Sequence, residues 1–148
     1  MRATKYKAWL PSDKFMGVPF DLAEELTSGG SCDWPSDTIF LQSTGHSDQK
    51  DVEIFEGDIL RETIELEEGD VNHYFIVTWI SEWCLLAALL HTEYEKYVKY
   101  GADSLDESMF WTFTIERGNQ FAVCGNIHQH PNYIQNALVE EGKSFDEL

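Results

Sequence analysis

Basic residues are scarce in this chain: ten Lys and Arg stand against 27 Asp and Glu, a formal net charge of −17 over 148 residues. A field of that sign repels polyanions and attracts cations, so nucleic acid is disfavoured as a partner and a basic protein is favoured. Cysteine is sparse too. Cys32, Cys84 and Cys124 are odd in number and widely spaced, with no C-x-x-C pair, which argues against a disulfide framework or a zinc knuckle. Cys84 and Cys124 stand in the apolar runs Trp-Cys-Leu and Val-Cys-Gly, where buried inert thiols are commoner than nucleophiles. The most apolar window, residues 83–90, is too short to span a bilayer, and the opening MRATKYKAWLPSDK has no apolar run to serve as a secretion signal. Neither export nor membrane insertion is expected, and the cytoplasm is the simplest compartment. No Ser-His-Asp set, phosphate loop or dinucleotide fingerprint can be read, so no catalytic residue and no cofactor is named.

Apolar material is plentiful. Hydrophobic residues make up 43% of the chain and aromatics 14%, enough for a packed core, and the length is that of one domain burying about 70% of its unfolded surface. Residues 1–148 therefore read as a single domain, with flexible loops expected near 27–36 and 101–108.

Periodicity indicates mostly strands. Tyr6, Ala8 and Leu10 alternate with Lys5, Lys7 and Trp9, whose more polar side holds a basic cluster completed by Arg2. Pro11-Ser12-Asp13 turns the chain into a short return strand at Phe15 and Met16. Residues 21–26 are helix-compatible until Gly29-Gly30. Residues 37–43 and 52–55 should be extended, with 44–51 connecting them. At Glu56-Gly57-Asp58, glycine tolerates positive φ and aspartate can bond a nearby N–H, predicting a sharp corner before a strand at 59–66. Glu67-Glu68-Gly69-Asp70 turns again, and 72–80 and 83–90 should pair antiparallel around Ser81-Glu82. Thr92-Glu93-Tyr94-Glu95 has the form of a capping box, opening a helix with Tyr94, Tyr97 and Val98 on one face and Gly101 as its terminator. Strands at 110–115 and 121–127 should be joined by a turn at 116–119. Pro131 suits the first position of a final helix that buries Ile134, Ala137 and Leu138 before Gly142, and the last five residues should fray. The resulting fold class is mainly β: a small, partly open, barrel-like domain built from hairpins, with two short peripheral helices.

Three segments resemble the YopX family of phage and prophage proteins. They are the basic-aromatic start with Arg2, Lys5, Tyr6, Lys7, Ala8 and Trp9; the Thr44-Gly45 turn followed by Phe55-Glu56-Gly57-Asp58-Ile59; and Gly125-Asn126-Ile127 before Pro131. The chain departs from the family pattern at His46, where leucine is usual, and at Lys50-Asp51, where an Asn-Gly-like turn is usual. Residues 20–36 and 91–108 lie outside the likeness. The resemblance implies a barrel-like core, an origin in a mobile element and a bacterial host cytoplasm, and it implies no catalytic residue.

From Asp51 to Asp70 there are nine acidic residues and one basic residue, Arg61. The plain reading of Glu53, Glu56, Asp58, Glu62, Glu65, Glu67, Glu68 and Asp70 is a solvated face that aids solubility; the sharper reading is an electrostatic docking face for a basic protein. Glu53, Glu56 and Asp58 could also hold Mg²⁺ in an enzyme acting on nucleic acid or nucleotides, although Glu56-Gly57-Asp58 explains itself as backbone chemistry. In a strand, His128 and His130 would point the same way and could share Zn²⁺ given a third ligand such as His46, but a lone H-x-H is a weak pattern. Trp34, Tyr74, Trp79, Trp83 and Trp111 could stack on bases only beside a basic groove, which is missing, so core or subunit packing is their expected use. The favoured function is a non-enzymatic accessory protein that binds a basic partner and can self-associate, with a metal-dependent enzyme as the alternative.

Overall fold

The computed structural model describes residues 5–21, 35–83, 85–106, 110–112 and 120–140. Cys32, Cys84, the run at 22–26, most of the loop expected at 27–36, the turn at 116–119 and everything after 140 lie outside them. The architecture is mainly β with two short helices, and one of its two sheets is a curled half-barrel. The first sheet contains β1 (Lys5–Leu10), β2 (Phe15–Met16), β3 (Phe20–Asp21), β4 (Ile39–Ser47) and β5 (Glu53–Phe55), in the order β2-β1-β4-β5 with β3 also pairing with β1. The second contains β6 (Asp58–Leu66), β7 (Gly69–Ile80), β8 (Leu85–Leu90), β9 (Phe110–Thr112) and β10 (Ala122–Asn126), in the order β10-β6-β7-β8-β9. Helix α1 (His91–Tyr100) follows β8 directly, a 3-10 turn covers Ala102–Ser104, and α2 (Tyr133–Glu140) comes last.

β1 and β2 form the expected first hairpin, pairing Trp9 with Met16 and Leu10 with Phe15. Trp9 is buried together with Ala8, so at this end β1 is covered on both faces and its supposed polar side is not polar throughout. β4 does not stop at Ser43: it runs on to Ser47 through the segment expected to be a connection. A register shift between Ser43 and Ser47, with Gly45 at φ 78, lets it continue as a bulged strand. The true connection is tighter, and Asp51 takes φ 65 there, a conformation aspartate tolerates better than most side chains.

β6 and β7 pair from Ile59 with Ile76 out to Leu66 with Gly69, leaving Glu67 and Glu68 as the turn. Tyr74, Phe75, Ile76 and Val77 are all buried, because both faces of β7 are covered. One face carries Leu60, Phe75 and Val77 against Ile54 and Phe121; the other carries Ile59 and Tyr74 against Leu138 of α2, with Ile134 and Ala137 alongside as expected. Tyr94 and Tyr97 of α1 pack on Ile80, Ala87, Leu89 and Ala102, while Val98 remains exposed.

Several boundaries differ from expectation. β10 does not pair with the strand before it: it bonds to β6 at the opposite edge of the sheet from β9, so no β9–β10 hairpin is present among the described residues. β8 starts at Leu85, making its turn with β7 longer than Ser81-Glu82. The capping box is not formed, since α1 starts at His91 with Leu90 in the cap position and no side-chain cap bond, which leaves Thr92 inside the helix. Gly101 does end α1, at φ 89, donating its N–H to the Tyr97 carbonyl. α2 starts at Tyr133, with Pro131 in the turn before it.

Candidate functional site

The Glu-Gly-Asp corner is bonded through both its backbone and its side chains. Gly57 takes φ 86, its N–H donates to the Val77 carbonyl at 2.7 Å, and its carbonyl accepts from Ile127 N at 2.9 Å. Asp58 is buried; its Oδ2 accepts from Phe55 N at 2.8 Å, and its Oδ1 accepts from Asn126 Nδ2 at 3.0 Å. Asn126 Oδ1 in turn accepts from His128 N at 2.9 Å, and Asn126 N donates to His130 Nδ1 at 3.2 Å. The Trp9 ring stacks on His128 at 6.1 Å, and Lys7 Nζ lies 4.5 Å from the centre of the Phe55 ring. Segments from the start, middle and end of the chain thus meet in one node. Burial pushes the Asp58 carboxyl up despite its bonds to Phe55 and Asn126, and burial pushes the His128 imidazole down.

The eight acidic candidates separate into two groups. At the node, Glu53 accepts from Ser43 Oγ at 2.5 Å and pairs with Lys5 at 3.4 Å. Glu56 accepts from Gln42 N at 3.4 Å and is pushed up by burial, while Asp58 is enclosed. These three are engaged by the fold itself. On the hairpin, Glu62 accepts from Gln120 Nε2 at 2.6 Å and lies 4.0 Å from His73, whereas Glu65, Glu67, Glu68 and Asp70 are exposed. Glu65 stands directly opposite Asp70 across the strands.

His128 and His130 do not share a strand face, because β10 ends at Asn126 and residues 127–129 form a turn. Among the described residues, no three His, Cys, Asp or Glu side chains gather so as to hold a metal ion. Burial pushes the Cys124 thiol up, and its Sγ donates to the Ile59 carbonyl at 3.3 Å. Tyr74 is packed in the core. One structural residue went unseen in the sequence: buried Asp48 accepts from Lys50 N, Val52 N and Val123 N, tying the β4–β5 connection to β10. Its position in a short polar connection was the available signal.

A cavity of about 320 Å³ opens beside the node. Ile59 and Ile76 of the second sheet line it, with Ile127, Pro131 and Ile134 from the β10–α2 end of the chain. The polar lining is His91, Tyr94 and Glu95 of α1 and Gln135 of α2.

No helix among the described residues is long and apolar enough to cross a membrane. No curated protein matches the chain. The family model described as YopX protein matches residues 19–135, a span containing the bulged β4, the Glu-Gly-Asp corner and the Asn126 turn that closes on it. The chain belongs to the YopX family.

Proposed function

We propose that this protein is a non-enzymatic, phage- or prophage-derived accessory protein of the bacterial cytoplasm that docks a basic partner protein on the tip of the β6–β7 hairpin. The observation that carries this reading is the placement of Glu65 opposite Asp70, with Glu67 and Glu68 on the turn between their strands and all four exposed. Like charges held face to face cost a hairpin stability, and cations brought by a partner would offset that cost. Glu53, Glu56 and Asp58 have structural uses and leave the docking face, which narrows to the hairpin with Glu62 at its base.

The test separates local charge from net charge. Titration with a lysine-rich peptide should show binding that weakens steeply with added salt. Neutralising Glu65, Glu67, Glu68 and Asp70 to their amides should remove most of it. Neutralising exposed Asp13, Asp51, Asp103 and Glu140 instead should leave most of it intact. Equal losses in the two variants, or binding indifferent to salt, would refute the docking face.

A further inference from the structure

We infer that the cavity between α1 and α2 is a binding site for a small organic cation, a protonated amine carried on an apolar body about the size of one aromatic ring. At about 320 Å³ the cavity is at the lower end of the range for small-molecule sites, roughly 300–1,000 Å³. Ile59, Ile76, Ile127 and Ile134 give it an apolar lining from three separate parts of the chain, and an apolar body seated there would leave water on most sides. A ligand of this shape needs only one polar contact at its end.

Charge selects the sign of that end. Among the described residues no Lys or Arg lines the cavity, whereas Glu95 does, and Glu95 is exposed to solvent. The Tyr94 ring is a second attraction, since a cation gains by lying over an aromatic face. Burial and the nearby charge of Glu56 push the Tyr94 phenol up. A carboxylate or phosphate of the same size would meet Glu95 and the strongly negative protein, with no Lys or Arg among the described lining residues to compensate. A neutral ligand would gain the apolar contacts and a hydrogen bond to the polar lining, without the attraction of opposite charge. None of these residues belongs to the β6–β7 hairpin tip, so this site and the docking face stand or fall separately.

Three probes of one size decide the matter: phenethylamine, 2-phenylethanol and phenylacetate, titrated into the full chain by calorimetry and followed by ligand-observed NMR. Phenethylamine should bind saturably, the alcohol more weakly and the acid least. Glu95→Gln, at an exposed helix position, should weaken the amine about threefold to fivefold and leave the alcohol unchanged, in keeping with one solvent-facing ion pair. Gln135→Trp, exposed on α2, should obstruct the cavity and abolish binding of both with the melting temperature retained. The proposal is overturned if the amine fails to saturate, if the acid binds as well as the amine, if Glu95→Gln leaves the amine's affinity unchanged, or if Gln135→Trp binds like the parent.

Discussion

Asp58 and Asn126 lie 68 residues apart, yet the Asn126 amide donates to the Asp58 carboxylate at 3.0 Å inside the protein. Each side chain also closes a turn of its own, Asp58 by accepting from Phe55 N and Asn126 by accepting from His128 N. The bond between them makes the two turns mutually dependent, at the point where β6 and β10 pair.

Asp58→Ala should therefore be costly. It leaves the Phe55 N–H and the Asn126 amide without their acceptor in a buried place, a loss of about 2–4 kcal/mol in urea unfolding. Asn126→Ala should cost about 1–3 kcal/mol on the same grounds. The double variant should lose less than the sum, because either change alone already breaks the shared bond. Strict additivity would show that the two turns are independent.

Gly57 and Gly69 offer a matched comparison, since both take positive φ, 86 and 127. A Cβ at Gly57 would meet Asn126 Nδ2 at 3.2 Å and His128 Cδ2 at 3.3 Å, whereas one at Gly69 would meet nothing within 4 Å. Gly57→Ala adds crowding of the node to a backbone penalty of about 1–2 kcal/mol, while Gly69→Ala carries the backbone penalty alone. Thermal unfolding should show the larger loss for Gly57→Ala. A larger loss for Gly69→Ala would mean that the hairpin turn, and not the node, is the stricter constraint.

The corner was legible because its signal is local: a glycine and an aspartate in adjacent positions imply a turn and a bond to a nearby N–H, which the structure shows to be that of Phe55. The turn at 67–70 and the strand-forming residues after it likewise exposed the β6–β7 hairpin, and the apolar spacing exposed the buried side of α2. What Asp58 does with its second oxygen was hidden, since nothing near residue 58 announces a partner at 126. The pairing of β10 with β6 was missed for the same reason, because adjacency in the chain favours a hairpin with the preceding strand. β4 was cut short because a bulge interrupts the alternation without ending the strand. The shared face considered for His128 and His130 needs the strand to run past its expected end at 127, and the Asn126 bond to the amide two residues on shows that it ends earlier. For the site, the acidic residues stood out by count, but burial alone separates Asp58 from Glu65.

Burial raises the Glu56 carboxyl above its ordinary 4.5, so the folded state holds that proton more tightly than the unfolded chain does. The contribution is fully present below pH 4.5 and is lost as pH rises through the folded-state value. Glu56→Gln is neutral at every pH and lacks this dependence. The stability of the parent relative to Glu56→Gln should increase as pH is lowered from 7 toward 4.5 and then level off, as followed by urea midpoints at matched ionic strength. Asp48 is the opposite case: burial alone would raise it, but the N–H groups of Val123, Val52 and Lys50 outweigh burial and lower it. Its contribution is present above 3.8 and fades as pH falls further, so the two effects are read in adjoining windows. A parent-minus-variant difference that is flat across the range would show that Glu56 is solvated like a surface carboxylate.

Glu65 gives the most discriminating variant, because the docking proposal requires stability and binding to move in opposite directions. Glu65→Lys sets a cation opposite Asp70 and replaces a like-charge pair with an opposite-charge pair, a gain of about 0.2–1 kcal/mol in the hairpin. The same change places a positive charge in the face proposed to receive a basic partner, so affinity for a lysine-rich peptide should fall. Unfolding midpoints and peptide titration on one preparation read both quantities. A variant that loses stability as well as affinity would report damage to the hairpin, which the exposure of Glu65 argues against. A variant that gains stability and keeps full affinity would remove Glu65 from the face, and the cross-strand repulsion would then need an explanation other than a partner.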